Sequence, residues 1–113
     1  MKLIATVAEA QMDAGQTYRY AERTLRAIGG QRMSQAGWER YDAAVQGLRL
    51  ALFTGDLDEV AAVTHALATL SIPRQKAAAD PSRTTMPRSL RPATDALLAC
   101  LSALADHHLH TAD

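Results

Sequence analysis

The sequence has no net charge: 12 lysines and arginines meet 12 aspartates and glutamates over 113 residues. Proteins built to neutralise phosphates normally carry a basic excess, so the balance disfavours a dedicated nucleic-acid binder. Cysteine is almost missing. Cys100 stands alone and has no intramolecular partner, so no disulfide can staple the fold, and a reducing, cytoplasmic setting is expected. No apolar run approaches the roughly 18–20 residues that cross a bilayer, and Glu9 interrupts the N-terminal stretch before the apolar core of an export signal is complete. Aromatic residues make up only 4% of the chain, which turns the few rings into candidate interface anchors. Proline is confined to one stretch, with all four residues between 73 and 92.

What is present is helical. Hydrophobic residues make up 48% of the chain and 23 residues are alanine, which argues against disorder and for a single domain over residues 1–113. Ile4, Val7, Gln11, Ala14, Tyr18, Ala21, Leu25 and Ile28 keep a 3-4 spacing that predicts one long helix over 3–28, ended by Gly29 and Gly30. Trp38, Tyr41, Val45, Leu48 and Leu52 form the stripe of a second helix over 36–54, which Ser34 can cap. Gly55 stops it, and Asp56 with Glu59 opens a third helix over 57–71. So short a turn makes these two helices an antiparallel hairpin. Pro92 suits the first turn of a fourth helix over 92–108, with Leu97, Leu98, Leu101 and Leu104 on its apolar face.

Between helices three and four, residues 73–91 show no apolar period and read as a flexible basic loop. It holds Arg74, Lys76, Arg83, Arg88 and Arg91 against Asp80 alone. The expected fold is therefore an all-α, small antiparallel bundle of about four helices, with a three-helix bundle whose first helix dimerises as the alternative. A helix over 3–28 spans about 39 Å at 1.5 Å per residue and overhangs its neighbours. Leu3, Ile4, Val7 and Met12 on the overhang call for a covering chain.

The residues that carry chemistry elsewhere do not assemble. Cys100 and His107 are two helical turns, some 10 Å, apart and cannot share a metal ion, while His107, His108 and His110 sit in a terminal tail. Cys100 is expected in the core, and its pairing with His65 as a nucleophile and base is the weaker reading. No di-iron, P-loop or dinucleotide pattern occurs, so neither an enzyme nor a cofactor, metal or small-molecule substrate is expected. Trp38 and Tyr18 read as core, whereas Tyr20 points to a different helix face beside Arg19, Arg23 and Arg26. Aromatic and arginine side chains together mark protein interfaces, and Glu22 can pair with Arg26 at i, i+4.

Trp38, Leu48, Ala51-Leu52, Gly55-Asp56, Val60, Leu67, Leu70 and Pro73-Arg74 together resemble the CATRA-associated small proteins, over residues 38–74. That family is inferred to serve bacterial conflict systems built around caspase-like peptidases and TPR-associated modules. The resemblance implies a non-enzymatic accessory or adaptor subunit that binds larger effector proteins, and no catalytic residue carries over. The expected partner is a protein or a second copy of the chain, met by Tyr20, Arg23, Arg74, Lys76, Arg88 and Arg91. The alternative is an anion- or nucleic-acid-binding regulator that uses the basic loop.

Overall fold

A computed structural model describes residues 13–70 and 82–111, with side chains as far as His107. Four helices run through them: α1, Ala14–Gly29; α2, Gln35–Thr54; α3, Leu57–Ala68; and α4, Arg91–Thr111, entered through a 3-10 turn at Arg88–Leu90. The expected all-α bundle is the observed fold.

The first helix starts later than its apolar period suggests. Asp13 has extended backbone (φ −66°, ψ 167°), and its carboxylate accepts from the Gln16 N–H at 2.8 Å. The Gln16 side-chain oxygen accepts in return from the Asp13 N–H at 3.3 Å. This reciprocal pair is a capping box, the start signal of α1. With 16 residues, the described helix α1 spans about 24 Å, and the overhang expected of a helix over 3–28 falls on residues outside those described. Leu3, Ile4, Val7 and Met12 lie outside the described residues.

The hairpin follows its sequence signals closely. The Ser34 hydroxyl accepts from the Gly37 N–H at 3.1 Å and opens α2. Gly55 closes it at φ 75°, in the left-handed region that glycine enters without a Cβ clash. One residue on, the Asp56 carboxylate accepts from the Glu59 N–H at 3.1 Å and starts α3. Helix α3 stops at Ala68, short of the expected residue 71, and α4 begins at Arg91 and extends to Thr111, beyond the expected 92–108.

Helix α1 packs along both α3 and α4, and α2 packs along α3, whereas α2 meets α4 at few points. Around the bundle the order is therefore α1, α3, α2, α4, and the connections α1–α2 and α3–α4 cross its diagonals. Arg19 near the start of α1 bonds Asp106 near the end of α4, which makes that pair antiparallel. Tyr41 and Thr94, both in the first half of their helices, are bonded, so α2 and α4 approach each other near the end of the bundle where both begin. The weakly packed α2–α4 side is the open side of the bundle. Leu25, Ile28, Leu48, Val60, Leu67 and Leu101, each at most 1% exposed, fill the centre.

The expected basic loop joins α3 to α4, and its described part, residues 82–90, is tied to the bundle. Met33 and Thr84 exchange two backbone hydrogen bonds of 2.9 Å, and the Trp38 indole N–H donates to the Thr84 carbonyl at 3.0 Å. Arg32 donates to the Arg83 carbonyl at 3.2 Å, and Met33 and Met86 are buried. These two methionines, which belong to no helical stripe, supply the apolar anchors of this segment. Residues 82–90 thus form a strap across the end of the bundle. It sets where α4 begins.

Below the strap, Tyr41 and Trp38 meet edge to face with ring centroids 5.5 Å apart. The Tyr41 hydroxyl shares a 2.6 Å hydrogen bond with that of Thr94, both side chains being buried, and Thr94 also approaches the Met86 sulfur at 3.7 Å. Burial pushes the Tyr41 phenol above its ordinary range and Asp95 adds to the shift, while the Thr94 hydrogen bond opposes it. The native state therefore holds this proton to higher pH than the unfolded chain does. The resulting stability is complete below the ordinary tyrosine pKa of about 10 and is lost as pH rises past it toward the folded-state value. Tyr41→Phe should destabilise by roughly 1 kcal/mol at neutral pH. In urea unfolding from pH 7 to 11, its deficit against wild type should shrink above pH 10, and a constant deficit would show that the phenol does not titrate differently on folding.

Candidate functional site

The open side of the bundle is a groove of about 590 Å³. Its α2 wall carries Gln46, Arg49, Leu50, Leu52 and Phe53, and its α4 wall carries Ala93, Ala96, Leu97 and Cys100. Leu50 is 64% exposed and Phe53 is 89% exposed, the large hydrophobic residues that the described fold leaves in solvent. The core stripe of α2 runs through Tyr41, Val45 and Leu48; residues 46, 50 and 53 form a second stripe, turned away from it. Arg49 donates to the Gln46 side-chain oxygen at 3.3 Å, and the Gln46 amide reaches the Asp42 carboxylate at 3.5 Å. These three polar groups thus follow one another along the exposed surface of the helix.

Cys100 is exposed, contrary to its expected place in the core. The core stripe of α4 passes through Leu97, Leu101 and Ala105, and the residue before Leu101 is rotated by about 100° from it, onto the groove wall. Among the described residues no three His, Cys, Asp or Glu side chains gather into a possible metal site. His65 lies exposed on α3, diagonal to α4 in the bundle. His108 and His110 lie outside the described side chains.

The residues expected to bind a partner are not brought together. Tyr20, half-buried, and Arg23, exposed, line a shallow depression of about 360 Å³ between α1 and the end of α3. Arg88 and Arg91 are exposed at the other end of the strap, and Arg91 lines a separate hollow of about 270 Å³ with Arg26 and Gly29. Arg74 and Lys76 lie outside the described residues. The α1 arginine face is also less available than its sequence suggests. Glu22 is buried and accepts from Arg26 at 3.1 Å, while Arg19 lies 3.6 Å from Glu22 and 2.9 Å from Asp106. Arg19 and Arg26 are thus each paired with a carboxylate, although both side chains still reach solvent.

Leu50 and Phe53 were the residues missed. Their signal was readable as apolar side chains three apart on a face of α2 that already had its core stripe elsewhere. A family model, CATRA-Associated Small Protein, matches residues 20–104. The chain belongs to this family. The match takes in α1 from Tyr20, the whole α2–α3 hairpin, the strap and α4 through Leu104, so it is far wider than the 38–74 pattern. Both groove walls lie within the family's region. Neither a curated protein nor a solved structure matches the chain. No described helix is long and apolar enough to cross a membrane.

Proposed function

We propose that the chain is a non-enzymatic protein-interaction module, an accessory subunit of a bacterial conflict system. The observation that carries this reading is the apolar groove with Phe53 and Leu50 standing exposed on its rim. An exposed aromatic on an otherwise well-packed small bundle marks a surface that another protein covers. The family name adds the class of partner: these are small proteins associated with CATRA. The anion-binding alternative draws less support, because Arg19 and Arg26 are already paired with carboxylates.

The test is to titrate the purified chain into a purified CATRA protein and follow the mass by light scattering. A stable complex of defined stoichiometry is expected. The role as a CATRA accessory fails if the components elute separately at every concentration and at both low and physiological salt.

A further inference from the structure

We propose that the occupant of the α2–α4 groove is a second copy of this chain, docked about a two-fold axis that passes beside Gln46. The inference rests on the reading of the groove as a protein-binding surface, and it goes further by saying which protein. A two-fold interface must be self-complementary, since the same patch supplies both sides. This patch contains a projection and a recess together: Leu50 and Phe53 stand out from α2, and the small residues Ala93, Ala96 and Cys100 line the opposite wall. Small side chains allow a second helix to approach closely.

The levels along the bundle agree. The Tyr41–Thr94 hydrogen bond joins α2 and α4 near the end of the bundle where both begin, and the groove extends from the level of Ala93, close to Tyr41, to that of Phe53. Gln46 lies near the middle of that span. If two α2 helices pack antiparallel about this point, Phe53 of each copy, about 10 Å from the axis at 1.5 Å per residue, reaches the start of the other copy's α4. Ala93 leaves room there.

Charge supports the same pairing. Asp42 and Arg49 lie on opposite sides of Gln46, at nearly equal distances along the helix, and both are bonded to its side chain. Antiparallel docking places Arg49 of one copy against Asp42 of the other, twice over. Parallel docking would set like charges side by side, so the strip also selects the direction.

Sedimentation of the isolated chain should show a monomer–dimer equilibrium. Asp42→Arg or Arg49→Asp alone should weaken the dimer by about tenfold, because each contact occurs twice, and the double reversal should restore it. Gln46→Cys in a Cys100→Ser background should form an intermolecular disulfide under mild oxidation. A chain that stays monomeric up to millimolar concentration overturns the proposal, as does a dimer in which the double reversal fails to rescue and Gln46→Cys fails to cross-link. A monomer that still binds the CATRA protein would leave the accessory function standing and refute only the second copy. A dimer that binds no CATRA protein would do the reverse.

Discussion

Trp38→Ala should be among the most destabilising single substitutions in the chain, lowering the unfolding free energy by roughly 3–5 kcal/mol. Three losses combine at this position. The indole is 3% exposed, so its removal leaves a large cavity at the junction of α2 with the strap. Its edge contact with Tyr41 disappears, and the Thr84 carbonyl loses the donor it held at 3.0 Å. The strap should then loosen as well. Urea unfolding gives the magnitude, and hydrogen exchange at the Met33 and Thr84 amides reports the strap, since these two groups bond each other across it. A loss below about 1 kcal/mol, or unchanged protection at both amides, would show that the strap is held by Met33 and Met86 alone. Trp38→Phe separates the contributions, because it keeps much of the packing and removes the N–H.

Phe53→Asp should have the opposite profile, with a large effect on association and a small one on the fold. The ring is 89% exposed, so little core packing is lost. A carboxylate near the C-terminus of α2 opposes the helix dipole by less than about 1 kcal/mol. At an interface, however, an aromatic anchor commonly contributes 2 kcal/mol or more, so self-association should weaken by about thirtyfold or beyond. Thermal unfolding offers a concise check: the wild-type midpoint should rise with protein concentration, whereas that of the variant should be nearly independent of it. A variant that retains the concentration dependence would place the interface elsewhere on the molecule.

Much of the fold could be read from the residues because its signals are local. Ser34, Gly55 and Asp56 each act within one helical turn, and the structure uses all three as caps or stops. Asp13 and Gln16 carry an equally local signal, yet it was outweighed by an apolar period that continues through it. The strap was not legible for a different reason. Met33 and Thr84 bond each other across 51 positions, and Trp38 reaches Thr84 across 46, so no short window of sequence contains both partners. The groove was legible only in part. Leu50 and Phe53 stand out once the core face of α2 is known, but the openness of that side depends on which helices become neighbours. That order, with both longer connections crossing the diagonals, is a property of the assembled bundle.

The crossing connections also bear on how the chain reaches this state. The α2–α3 hairpin closes through residues only a few positions apart, so it can form early at little loop-closure cost. Helix α4 contributes Leu97, Leu101 and Ala105 to the centre, yet its tethers to Tyr41 and Arg19 span 53 and 87 positions of sequence. During synthesis, α1, α2 and α3 leave the ribosome before the helix that completes their core. In that interval the nascent chain exposes apolar surface on the side that α4 will occupy, next to the future groove. An early encounter with another chain would then compete with α4 for its own seat. The strap at Thr84 emerges just ahead of α4 and can direct that helix to its place, which gives a short, irregular segment a kinetic role in addition to its static one.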